Sequence, residues 1–311
     1  MLFTAVLGAA LLLAQPQPGR APPVDPDPNA VEGVVVEGRR ESEAERRKAE
    51  SNFVREHAAP TRRGRLARWD QGICPGVIGL SEKHGVFLTE RIATEARALG
   101  LSVGAAGCRP DILILMTSRP DTAAREFRAK YGPFLAHLDR REDLESGGGG
   151  QKLEDFLNTS RPVRWWHVAK LEAADGRPLG GMRIGPDPTV VIPVITGTSS
   201  SRLGSLLRED LSRAVIIVDT NQLKGVTYEA LGSYLSMVAL AQLNPEAEPG
   251  GVPSILSLFK DRDAGVAPPE TLTAWDRAYL KGLYEAPANT RNLHAQRGAI
   301  RRSLSQVGAA N

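Results

Sequence analysis

The stretch GVTYEALGSYLSMVALAQLN, residues 225–244, decides how the rest of the chain is read. Leu231, Tyr234, Leu235, Val238 and Leu240 to Leu243 leave no wide polar face, which predicts a central, buried helix over Val226–Asn244. Proline disfavours helical geometry in the residue before it, so Asn244-Pro245 is the expected end. Upstream, Arg213 to Leu223 reads as a strand feeding this helix. Downstream come the turn Pro253–Phe259 and a second helical stretch, Leu272–Tyr284. Thr273-x-x-Asp276 has the form of a capping box at its start, with aspartate in place of the usual Glu or Gln.

Working back from there, Val163–Ala173 alternates as a strand does. Trp165, His167 and Ala169 fall on one face, and Trp166, Val168 and Lys170 on the other. His167 could be a ligand; with no second histidine close in sequence it reads as an ordinary strand histidine. Asp175-Gly176 is a turn, and Val190 to Ile195 a further short strand. Trp69 to Thr117 reads as a βαβ unit. Its strands are Ile73–Leu80 and Asp111–Met116. Its helix starts at Ser81, carries Leu88, Ile92, Ala96 and Leu99 on one face, and stops at Gly100. Two strands joined through a helix imply a parallel pair. Another helix is expected within Thr122–His137. Gly147 to Gly150 is a loop; GGGGQK is no phosphate loop, because no strand leads in and Leu153 follows Lys152. Gly197 to Ser201 is a loop without the form of a nucleophile elbow. The expected class is α+β, with one domain over 61–288.

The flanks differ in composition. Leu2 to Ala14 is apolar and uncharged, too short to span a bilayer, and has the length of a signal-peptide core although no charged residue precedes it. Residues 1–20 are therefore expected to be a signal peptide, the alternative being an uncleaved membrane-associated start. Residues 21–60 are expected to form a disordered, charged arm, with Glu41–His57 a surface helix or frayed. Within it, Val31–Arg39 looks like the V-V-V-x-G-x-R stretch of TonB-dependent outer-membrane receptors. The chain lacks their barrel strands, which leaves a strand that pairs with a partner's sheet edge, or a coincidental valine run. Residues 289–311 read as a basic tail, helical against the domain or in solvent. With 39 basic and 36 acidic residues, a net charge of +3 is too balanced to imply nucleic acid. Cys74 and Cys108 are the two cysteines. In an exported chain they are expected to form a disulfide, two unpaired buried thiols being the alternative.

The helix, the Ser254-Ile-Leu256 turn and the Leu272–Tyr284 helix together resemble the second half of a zincin metallopeptidase. That resemblance implies a mixed sheet packed on two helices, the second carrying H-E-x-x-H-x-x-G-x-x-H. With Ala241 at the small position, Tyr234, Leu235, Val238 and Asn244 fall where ligands and base belong. None is a usual zinc ligand or base, and Leu256 stands at the position of the turn methionine. The runs Ala67–Leu80 and Gly107–Ile114 are also similar to uncharacterised secreted proteins of alphaproteobacteria. The expectation is a zincin-like, non-catalytic protein of the periplasm or outside the cell, with a protein or peptide partner, no cofactor, no metal and no membrane span after signal cleavage. The competing expectation is a hydrolase assembled from Asp219, Asp261, Asp263, His167 and Ser254.

Overall fold

The computed structural model describes residues 42–61, 63–132, 153–183, 191–194, 204–248, 251–290 and 292–308. The expected signal peptide, the Val31–Arg39 run, the four-glycine loop and the Gly197–Ser201 loop lie outside them.

The elements run α1 (Glu43–His57), β1 (Pro75–Ile78), α2 (Glu82–Ala98), β2 (Ile112–Thr117), α3 (Pro120–Tyr131), α4 (Leu153–Asn158), β3 (Val163–Ala173), β4 (Gly180–Arg183), β5 (Val191–Val194), β6 (Leu207–Asp219), α5 (Tyr228–Leu240), α6 (Leu258–Asp263), α7 (Ala274–Glu285) and α8 (Leu293–Gly308). The chain is thus a mixed α+β fold. Four strands form one sheet in the order β1-β2-β6-β3, and β4 pairs with β5 separately. The β1, β2 and β6 strands are parallel, as the βαβ reading requires for the first two, and β3 runs antiparallel to β6.

Helices cover both faces of the sheet. Ile112, Ile114, Ile216, Val218 and Trp165 face α2, α5 and α7 in the larger core. Val215, Ile217, Trp166 and Val168 face Phe127 of α3 and Phe156 of α4. A strand buried on both sides must be apolar without alternation, which is why β6 reads Ala214-Val-Ile-Ile-Val218. The β3 strand keeps its alternation because its two indoles belong to different cores.

Cys74 and Cys108 are disulfide-bonded. Their separation of 34 residues gives a stabilisation of about 4 kcal/mol by loop entropy. Gly104 lies against the bridge; a Cβ there would stand 2.6 Å from Cys108 Sγ. No helix among the described residues is long and apolar enough to cross a membrane.

The β1 strand is shorter than the expected Ile73–Leu80, and three further differences from expectation have their cause in packing. The central helix stops at Leu240, and Ala241 is extended. Residues 242–244 pair instead with the end of α1 and the residues just after it. Ala59 N–H donates to Gln242 O at 3.2 Å, and Asn244 N–H to His57 O at 2.9 Å. Tertiary pairing therefore ends the helix before Pro245 can, and Asn244 is not helical. The last strand also starts earlier, at Leu207.

The third difference concerns the charged arm. Its helix α1 is capped by Ser42 and Glu45 in a reciprocal box, and it is part of the core. Phe53 and Val54 are buried, with Phe53 edge-on to Trp275 at 5.8 Å and to Tyr279 at 5.9 Å. A fold that begins near Thr61 would leave that aromatic socket empty. Losing one buried phenylalanine costs about 3–5 kcal/mol. A chain trimmed to Thr61 should accordingly melt roughly 10 °C lower or worse. An unchanged melting temperature would restore the picture of a removable arm.

The basic segment after Asn289 is likewise built in. Ile300 and Leu304 of α8 are buried against α7. The two helices meet at Gly282, where a Cβ would come within 2.5 Å of Ile300 Cα. Gln296 exchanges two bonds with the backbone of Leu66, at 2.9 and 3.0 Å.

Candidate functional site

The carboxyl end of α5 lies inside the protein, so its last carbonyls need donors that water would otherwise supply. Four partners provide them. Ala241 N–H reaches Met237 O at 3.2 Å. His167 Nε2, Trp69 Nε1 and the Tyr284 hydroxyl reach Val238 O, Ala239 O and Leu240 O at 2.9, 2.8 and 2.8 Å. Trp165 Nε1 continues the series at Leu243 O, 3.1 Å away. A carbonyl only accepts, so the His167 Nε2 carries a proton in its neutral ring. Burial pushes the imidazole pKa down to about 4. His167 thus caps the helix and is held neutral.

Tyr234, Leu235 and Val238 are buried in the core around this helix. Tyr234 meets Phe259 edge-on at 5.1 Å, and burial pushes its phenol well above the usual range. Asn244 binds backbone: its Nδ2 donates to Glu56 O at 3.3 Å. The four positions hold volume and backbone bonds.

The competing residues are similarly committed. Ser254 Oγ donates to Asp276 Oδ1 at 2.6 Å, and no histidine joins the pair. Asp276 also accepts from Ile255 N–H and Thr273 N–H, both at 2.8 Å. Burial raises its pKa against the pull of these donors. Asp219, at the end of β6, accepts from Asn221 and Gln222. Asp261 accepts from Ser257 Oγ, and Asp263 pairs with Arg262. Both acids lie in α6. Each proposed member has its own structural partner, and the set is not joined by any hydrogen bond. No group of three or more His, Cys, Asp or Glu placed to hold a metal ion occurs among the described residues.

What stays open is aromatic. Tyr228 is the first residue of α5 and lies beside the first turns of α2. The His84 ring stacks on it at 4.5 Å, nearly parallel, and Phe87 meets it edge-on at 6.5 Å. Ser81 Oγ and His84 Nδ1 are 2.9 Å apart, which fixes the imidazole. Phe87 and Tyr228 are each 41 % exposed and Val86 is 53 % exposed. The strand that leads into α2 is β1, an edge of the sheet, and its last residue Ile78 is 59 % exposed. Arg91 ties the two helices below this surface, bonding Glu229 at 2.8 Å and Ser233 at 3.1 Å.

This surface was not singled out from sequence. The signal was there: Val86 and Phe87 lie off the Leu88, Ile92, Ala96 stripe, so the core does not account for them. A large side chain off its helix's buried stripe is a candidate contact residue. Compared with known proteins, the chain matches no family model, no curated protein and no solved structure.

Proposed function

We propose that the protein is a non-catalytic, exported protein of the cell envelope that binds an extended segment of a partner protein at the exposed aromatic surface. One observation carries the reading: the candidate reactive side chains are held in structural bonds, while Phe87 and Tyr228, the latter backed by the His84 ring, remain exposed near an edge strand. An edge strand supplies main-chain donors and acceptors to an incoming strand, and a neighbouring apolar cluster holds its side chains. Flat, rigid rings give contact area at small entropic cost. The Cys74–Cys108 bridge supports an oxidising compartment, as does the apolar start Leu2–Ala14. The succession of α5, the Ser254–Leu256 turn and α7 beside a mixed sheet supports a zincin-like scaffold whose metal motif has been replaced by packing.

The test is substitution of Phe87 and Tyr228 together by serine in the full-length chain. Both side chains are half out in water, so the melting temperature is expected to move by no more than a degree or two. A discrete envelope partner that stays bound to the unsubstituted protein at high salt should be lost. A partner kept by the doubly substituted chain would sink the assignment to this surface. Hydrolysis of peptide or ester abolished by Ser254→Ala would establish the hydrolase reading in its place.

A further inference from the structure

A groove of about 630 Å³ runs between α1 and α8. Arg46 and Arg47 line it from one side, and Arg301 and Arg302 from the other. Two acids share the lining, and each is taken by its own helix. Glu43 pairs with Arg47, and Glu50 lies 3.6 Å from Arg46. Arg301 and Arg302 have no carboxylate partner among the described residues. The helix that carries them, Leu293–Gly308, contains no acidic residue at all. The groove therefore holds an excess of two guanidinium charges.

Its floor is unusual too. Gly298 lines the groove from the interior of α8, where glycine disfavours the helix. Packing does not require it: a Cβ there would meet only Arg302 Nη1, at 3.6 Å. This contrasts with Gly282, whose missing side chain lets two helices touch. What Gly298 provides is depth between the arginines.

The geometry points to a binding site for a phosphate-bearing anion, seated over Gly298 and held by Arg301 and Arg302. A guanidinium presents paired donors in a plane that matches phosphate oxygens, and it stays charged at any physiological pH. The phosphate could belong to an anionic phospholipid headgroup or to a small soluble phosphate compound. The site is separate from the aromatic surface and does not depend on the function proposed for it.

Two arms separate the sources, both with the full-length chain. One titrates pyrophosphate and inorganic phosphate by calorimetry. The other sediments the protein with vesicles of phosphatidylglycerol and phosphatidylcholine, against phosphatidylcholine alone. Binding in the vesicle arm alone assigns the headgroup; binding in the calorimeter assigns the soluble anion. Arg301→Gln with Arg302→Gln should weaken whichever is seen at least tenfold, about 1.4 kcal/mol, at an unchanged melting temperature. Gly298→Leu leaves the charge and fills the floor, and should weaken it comparably. Binding in neither arm overturns the proposal. So does binding that survives the arginine changes, or binding lost with the arginines but indifferent to Gly298→Leu, since that is diffuse attraction to a basic surface.

Discussion

Asp276→Ala is expected to lower the unfolding free energy by about 4 kcal/mol or more. Asp276 is fully buried, and it gathers Ser254 Oγ, Ile255 N–H and Thr273 N–H at 2.6–2.8 Å. Removing the carboxylate leaves three donors without an acceptor, and each buried orphan costs about 1–3 kcal/mol. The same change removes the side-chain half of the capping box of α7, leaving the Thr273 hydroxyl as the cap, and loosens the turn that Ser254 starts. Asp276→Asn keeps the shape and one acceptor oxygen, so it should cost roughly half as much. Denaturant midpoints of the two variants at neutral pH check this. A loss below about 1 kcal/mol for alanine would mean that water replaces the carboxylate and that the turn is not organised by it.

Acidification from pH 7 to pH 4 should cost the fold about 3 kcal/mol through His167 alone. In the unfolded chain the imidazole titrates near 6.5, and in the protein burial holds it down to about 4. Its contribution is fully present above pH 6.5 and is lost as the pH falls through about 4. Asp210 acts in the opposite sense. Burial first, and its bond with Glu172 second, push it up to about 7 from 3.8. Its contribution is present below 3.8 and is lost as the pH rises through 7. The two slopes have opposite signs across the acid range, so the pH dependence of the unsubstituted protein alone does not report on His167. His167→Gln separates them, because glutamine can still donate to Val238 O but cannot take a proton. The stability gap between the two proteins should shrink by about 3 kcal/mol between pH 7 and pH 4. A gap that is independent of pH would show that His167 is hydrated in the folded state.

The elements legible in the sequence were those whose pattern is local. The α2 helix announced itself by a cap, a stripe and a terminal glycine, β3 by alternation, and α7 by Thr273 and Asp276. The misread boundaries were set by contacts distant in sequence. The early part of β6 carries Arg208, Glu209 and Asp210, which a pattern reading assigns to solvent. All three are buried. Arg208 bonds Asp210 at 2.7 Å and also pairs with Asp70, while Thr61 bonds Glu209 at 2.7 Å. A charge can be interior when its partners are supplied, and two of those partners, Asp70 and Thr61, lie far outside any local window. The α1 helix misled in the same way, since buried Glu50 and His57 flank Phe53 and Val54. At the candidate site, the lack of zinc ligands on α5 was readable directly. The caps on its carbonyls were not, because indole and imidazole side chains look like ordinary core residues until their donors are placed.

The pairing of α1 with α8 has a consequence for how the molecule comes into being. Arg297 reaches the carbonyl of Arg55 across a separation of 242 residues, and Gln296 holds Leu66 across 230. During synthesis the first of these helices emerges long before the surface it must lie on exists. Phe53 has to wait for Trp275 and Tyr279, which belong to a segment made long after it. The order of manufacture and the order of assembly are thus opposed, and contacts this distant make folding slow. A nascent chain stalled before Leu272 would carry the α1 helix with the aromatic socket for Phe53 still missing, and that ring would stay in water.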